Sequence, residues 1–474
     1  MHRSSQGDRR LDPDPTVPIT ALPPTPKDLA PLPPEPDDAL LTRELTLTDA
    51  TLLNAGVMQG ATLFIVPGIV FANTGTAWLA ALAWICAGAL TWCGAAAFAE
   101  LGARYPRAGG PLVFLERAYS PFWGFAVGWT LVTVIQPASI AAVAVACVTY
   151  VEALLALGAT QTTGGAAVLI MAVTAGHVAG LRRSATAQNV LTSTKVTLLI
   201  VVAVSCFWFG GDGAGAFGAL VPAAPLTRTV AGFGAAVAAA LWAFSGWTSA
   251  TFVGGELRTP ATTLPRAMTY SVLGVTALTV LVTLGFLWAL PTSGPADPDR
   301  LALDAAGHAL GTFGERLVAA AVIVSCLAAI SGLVFSGSRL LFAMARRGWF
   351  PAHVGATGGG RVPRNAMLYL GGWASVLTFT GRYDQLFTYA VVAVWLFAML
   401  GGLAVIVVRH RHPNDSRPYE VPGYPYVPAI FGVVSWALML QTLWTSPVQA
   451  LIGALVVLAG LPVYRYYRKQ RAEG

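Results

Sequence analysis

Charge is what this sequence lacks most. Only 11% of its 474 residues are Asp, Glu, Lys or Arg, against about 25% in a soluble globular chain. That shortage excludes the roughly three water-facing domains that the length alone would suggest. Cysteine is also scarce. The five, Cys86, Cys93, Cys147, Cys206 and Cys326, show no CxxC spacing, which excludes a zinc site and a disulfide framework and leaves them as small packing residues. The basic excess, a net charge of +7, forms no stripe interleaved with aromatics and so does not point to nucleic acid. No short basic segment followed by an apolar core opens the chain, so no cleavable signal peptide is expected.

What the sequence has is apolar length. Hydrophobic residues make up 55% of it, and from Leu47 onward they gather into runs near 20 residues, each enough to fill a bilayer core. Before them, residues 1–44 read as a proline-rich cytoplasmic tail with its prolines between Pro13 and Pro36, a composition that cannot bury a core and reads as disordered. The runs fall at 48–72, 77–103, 122–155, 164–180, 188–209, 229–253, 268–290, 317–343, 366–380, 385–408, 427–443 and 447–464. About twelve membrane helices are therefore expected, an all-α polytopic protein.

An even number of spans puts both termini on one side. With that side inside, the inner loops hold Arg104, Arg107, Arg117, Arg182, Arg183, Arg258, Arg266, Arg346, Arg347, Arg409, Arg411 and Arg417, while the outer loops keep Arg228, Arg300, Arg316 and Arg382. Lys/Arg excess marks cytoplasmic loops, so both termini are expected in the cytoplasm of a plasma-membrane protein. The longest outer loop is expected at 291–315, with Asp297, Asp299 and Asp304.

Interruptions and charges inside a span are costly and mark function. The first span carries Gly56 and Gly60 before Pro67 and Gly68. A break there would leave a second half-helix starting near Ala61, its amides and positive dipole end suited to a carboxylate. The sixth span is interrupted at Ser245-Gly246, where the carbonyls ending its first half would suit an ammonium. Two breaks five helices apart are the pattern of inverted-repeat transporters, with a midplane site between them. The donor end and acceptor end together fit a zwitterionic amino acid.

Lys195 in the fifth span follows Arg183 by twelve residues, roughly 18 Å of helix, which sets it near the middle of a core about 30 Å thick. It is either a structural lysine satisfied by backbone carbonyls, or a cation that stands in for a coupling ion or titrates. Glu100, Glu256 and Arg339 lie at inner helix ends, where capping and loop pairing are expected. His177 reads as a satisfied interfacial histidine, and Gln136-Pro137 as a kink that bends the third span or lines a cavity. No metal-ligand cluster or nucleophile-base pair stands among the spans, so no enzyme, metal or cofactor is expected.

Several motifs occur together in one order: Gly60-Ala61-Thr62-Leu63-Phe64, Glu100-Leu101-Gly102 to Pro106-Arg107-Ala108-Gly109-Gly110, Ala118-Tyr119-Ser120-Pro121, Glu256-Leu257-Arg258-Thr259-Pro260, Ser338-Arg339-Leu340-Leu341-Phe342 and Arg417-Pro418-Tyr419. In them the chain resembles the amino acid-polyamine-organocation superfamily, most of all bacterial L-amino acid transporter-type permeases. The resemblance implies a LeuT-type fold, with one five-helix repeat over 45–211, its inverted copy over 212–409, two further helices over 410–467 and a short cytoplasmic tail at 468–474. It also implies a substrate carboxylate on the amides of Ala61 and Thr62 beside Gly60, and an amino group on the carbonyls of Met58, Trp242 and Ser245. Trp242 becomes the outer gate, Trp395 and Ile140 candidates for the side-chain pocket or for ordinary core, and Lys195 the replacement for a sodium ion. This chain departs from the pattern at Ala61 and Thr62, where the family has Ser and Gly, at Gly255 in place of an acidic residue, and at Thr248 in place of Asp or Asn.

The expected function is secondary transport of an amino acid or related amine by alternating access, sodium-independent and proton-coupled. Obligatory exchange is the alternative within the same fold, and a non-transporting sensor or assembly subunit the alternative of another class. The partners expected are the substrate, protons and the bilayer.

Overall fold

The computed structural model describes residues 41–473 except 59, 61, 156–161, 212–213, 219, 221–224, 291–296, 359–361 and 382, and gives the backbone alone at 214–215, 383–390 and 471–473. The proline-rich stretch 1–40 lies outside the described residues. The helices are α1 Leu47–Val57, α2 Thr62–Thr74, α3 Ala77–Arg104 and α4 Pro111–Ala118, then α5 Pro121–Leu154 and α6 Thr162–Val178, α7 Leu181–Phe209 and α8 Leu226–Ala243. The chain continues with α9 Ser249–Phe252, α10 Pro260–Ala289, α11 Leu301–Leu310, α12 Thr312–Arg346, α13 Arg364–Thr380, α14 Tyr383–Arg411, α15 Tyr426–Thr445 and α16 Pro447–Glu473.

Among the described residues, nine helices are long and apolar enough to cross a membrane, and the pair α1 and α2, bent by 57°, makes a tenth span. The two remaining expected spans are the 17-residue helices α6 and α13. Large apolar side chains such as Trp78, Ile85, Val168, Trp208 and Leu273 lie on the outside, where hydrocarbon and not water is the solvent. The packing follows a rule. α3 runs along α10, α5 along α12, α6 along α13, and α2 against α8. Each is a span beside the one five later, the neighbour relation that a duplicated five-helix unit produces. α15 and α16 stand outside this arrangement, and α16 is the least buried of the nine long apolar helices.

Local chemistry explains the ends and bends. Thr46 and Asp49 form a reciprocal capping box at the start of α1. Within α5, residues 131–135 make a π-helical turn, Gln136 N–H reaching back five residues to Leu131 O. The cause is Pro137, which has no N–H to offer Thr133 O. The indole of Trp373 on α13 donates to that orphaned carbonyl at 2.8 Å. Trp373→Phe keeps the ring and deletes the donor, so it is expected to lower stability by about 1–2 kcal/mol, read as an earlier thermal unfolding in detergent.

Three differences from the sequence reading have simple causes. The expected outer loop 291–315 is mostly helical: Pro298–Arg300 and α11 fold back, burying Leu301, Ala302, Ala305 and Ala306, and α12 starts at Thr312. Pro298 carbonyl lies against Gly68, where any side chain would collide. At the arginine-rich face the amphipathic α4, which starts with Pro111 in its first turn, fills what reads as loop. The end of the expected tail is folded as well. Leu41 and Leu45 are buried, and Leu45 pairs with 256–258 through Leu45 N–H to Glu256 O at 2.9 Å and Arg258 N–H to Leu45 O at 3.1 Å. At the same face the Tyr119 hydroxyl donates to Leu400 O at 2.8 Å, and burial pushes its pKa up to about 12, which keeps the donor proton in place.

Candidate functional site

The first break lies where expected. α1 stops at Val57, Met58 turns to an extended backbone (φ −59°, ψ 139°), and α2 resumes at Thr62. Gln59 and Ala61 lie outside the described residues. The first-turn amides of α2, from Thr62 on, have no acceptor inside their own helix. Ser325 on α12 holds the connecting backbone by donating to Gly60 O at 2.8 Å. A β-carbon on Gly60 would stand 3.4 Å from Ala329 and 3.9 Å from Val143, so the strip lies against α12 and α5.

In the sixth span α8 ends at Ala243, residues 244–248 form a turn, and α9 follows. Gly246 has φ +96°, a conformation that glycine adopts without strain, and Val57 of α1 occupies the place a side chain would need. Trp242 O accepts from Ser245 N–H at 3.0 Å, Phe244 O from Trp247 N–H at 3.3 Å and Gly246 O from Ser249 N–H at 3.0 Å. Ser245 is exposed and Trp242 half-buried, so the turn is accessible from one side. Phe98 and Phe431 brace Trp247 edge-on, with centroids 4.8 and 5.5 Å away. The departure at Gly255 has a steric reason, since a β-carbon there would stand 3.2 Å from Ala108 N, where 108 and 253 pair as an antiparallel bridge.

Lys195 on α7 is 2% exposed. Its ammonium donates to Met58 O at 2.8 Å, Gly56 O at 3.3 Å and Ala55 O at 3.5 Å. Three donors meet three carbonyls at the negative end of α1, the geometry a cation completes there. α7 grips α1 further along. Thr192 Oγ donates to Leu52 O at 3.1 Å, and Asp49 accepts from Asn189 at 2.6 Å and from Arg182 at 3.0 Å. Met58 O therefore already serves Lys195, and a substrate ammonium would share it through the second lone pair.

The remaining residues singled out from the sequence scatter. Ile140 is fully buried among Ile170, Ile330, Val334, Leu370 and Ala374, which is core packing. Trp395 is half-buried against the main core. His177, in the last turn of α6, is 3% exposed, its Nε2 3.0 Å from Ser331 Oγ. Glu256 and Arg339, read as helix-end residues, form a two-bond ion pair at 2.9 and 3.0 Å, with both side chains 0% exposed. Glu100 likewise accepts Arg409 at 2.8 and 2.6 Å and Val421 N–H at 2.7 Å. The sequence reading missed Asn54 and Ser325. No spacing rule could find them, because their partners on other helices lie 196 to 265 residues away. No metal-binding group of His, Cys, Asp and Glu occurs among the described residues.

The chain has relatives among known proteins over nearly its whole length. Residues 45–463 match the family described as Amino acid permease. The chain is 30% identical to the serine/threonine exchanger SteT of Bacillus subtilis, over 92% of this chain and 99% of that protein. It is 26% identical to the human b(0,+)-type amino acid transporter 1, over 91% and 89%, and 26% identical to the human cystine/glutamate transporter, over 91% and 86%. This multi-pass membrane protein belongs to the amino acid permease family.

Proposed function

We propose that the protein carries an amino acid across the plasma membrane by alternating access without sodium, its arginine-rich face and both termini in the cytoplasm. The observation that carries the reading is the Lys195 ammonium on the carbonyls of Met58, Gly56 and Ala55. A resident cation already satisfies the negative end of α1, so none is needed from solution. The substrate carboxylate meets the Thr62 amide beside Gly60. Its ammonium meets the carbonyls of Ser245, Trp242 and Met58, with Trp242 as the outer gate and Trp395 lining the side-chain pocket.

Obligatory exchange of small neutral amino acids is favoured by the likeness to a serine/threonine exchanger. Proton-coupled uptake is the second reading, resting on Lys195 as a titratable group at membrane depth. Proteoliposomes separate them. Exchange is expected to give labelled serine uptake that requires internal serine and ignores sodium and pH gradients. Accumulation in empty vesicles driven by a pH gradient would instead establish symport. Binding without flux of any amino acid would overturn both and favour a non-transporting sensor.

A further inference from the structure

One buried amide side chain joins the two broken spans. Asn54 on α1 is 0% exposed. Its Oδ1 accepts from Ala250 N–H at 3.0 Å, and its Nδ2 donates to Ser271 Oγ on α10 at 2.9 Å. Ser271 in turn donates to Met268 O at 3.1 Å, which fixes its lone pairs toward Asn54. The need for this bond comes from the break itself. Ala250 stands in the first turn of α9, where an interrupted helix leaves amides without acceptors. Ser249 N–H takes Gly246 O at 3.0 Å and Thr251 N–H takes Thr248 O at 2.9 Å. Ala250 is served from another helix, an N-cap supplied in trans. One turn along α1, Val57 presses on Gly246, so the same face of α1 holds both the turn and the helix that follows it.

We propose that Asn54 is a positioning residue for transport: it sets the 244–248 turn in register with the carbonyl end of α1, so that one ammonium reaches the carbonyls of both breaks at once. The proposal rests on the reading of the breaks as the amino acid site. Asn54 touches no substrate; it acts through Ala250 and the turn. Ser271 fixes the rotamer of Asn54, and its loss weakens the cap without deleting it.

Two variants of the full-length protein test this, Asn54→Leu, which keeps the volume and removes both bonds, and the milder Ser271→Ala. Two measurements are made on each: amide hydrogen exchange over residues 249–252 compared with α10, and KM against maximal rate for serine exchange in proteoliposomes. Asn54→Leu is expected to speed exchange at Ala250 by about tenfold, equivalent to about 1.4 kcal/mol, and to raise KM by a similar factor, with Ser271→Ala intermediate in both. If Asn54→Leu does not fold, Ser271→Ala alone decides. Unchanged exchange at Ala250 would overturn the cap in trans, and faster exchange with KM unchanged would overturn the positioning role. A wild-type protein that moves no amino acid, yet keeps a slow Ala250 amide that the variants release, would overturn the transport reading while upholding the cap.

Discussion

Replacing Lys195 by methionine is expected to slow amino acid exchange by at least about tenfold. Three carbonyls at the end of α1, those of Ala55, Gly56 and Met58, depend on this ammonium. A hydrogen bond to a charged group contributes about 1.5–3 kcal/mol, so transmitting only one of the three to the rate-limiting step, at about 1.4 kcal/mol per decade, gives that factor. Methionine matches the stem and offers no donor, which leaves the carbonyls at the end of α1 without their charged partner. Arginine is not expected to rescue, because a planar fork does not reproduce a point charge aimed at converging oxygens. The check is exchange flux in proteoliposomes beside thermal unfolding of the same preparation. A methionine variant within twofold of wild-type flux would remove Lys195 from the mechanism.

What could be read from the sequence follows from how far apart the interacting residues lie. The bilayer imposes length on every span, so each of the twelve apolar runs falls on a helix of the structure, and the glycines at 56, 60 and 246 mark both interruptions. Lys195 was legible because a charge at that depth has no ordinary place. Ion pairs were not legible. Glu256 and Arg339 are 83 residues apart, and nothing in either local sequence says that a lysine-like snorkel or a loop contact is replaced by a fully buried pair. The short helices α4 and α11 were hidden for another reason: the five consecutive buried residues Pro111 to Leu115 of α4 and the four buried residues of α11 are too brief for a hydropathy run. Asn54 stands in an apolar run whose pattern cannot show that Ala250 will lack an acceptor, since that lack exists only once the sixth span has broken.

The buried pair also yields the largest expected effect on stability. Arg339 on α12 gives two parallel bonds to Glu256 at 2.9 and 3.0 Å, a third to Phe335 O at 2.9 Å and a contact to Ser338 Oγ at 3.2 Å. Its guanidinium carbon sits 3.9 Å from the centre of the Phe335 ring. Each of the three guanidinium nitrogens has an acceptor, and neither side chain touches solvent. Glu256→Gln strands the guanidinium in that enclosure, at an expected cost of about 3–5 kcal/mol, whereas replacing both partners by apolar residues of similar volume is often neutral or stabilising. Glu256→Gln is therefore expected to unfold well below wild type, and the double variant Glu256→Leu with Arg339→Met to recover much of the loss. Glu256 also carries, through its carbonyl, the Leu45 strap, so the pair fastens the end of the sixth span, α12 and the segment before α1 into one closed face. On the reading that transport opens that face, the pair must part, and an apolar replacement has no charged state to release into water. The double variant is thus expected to regain stability without regaining exchange. Flux restored together with stability would show that the pair serves folding alone.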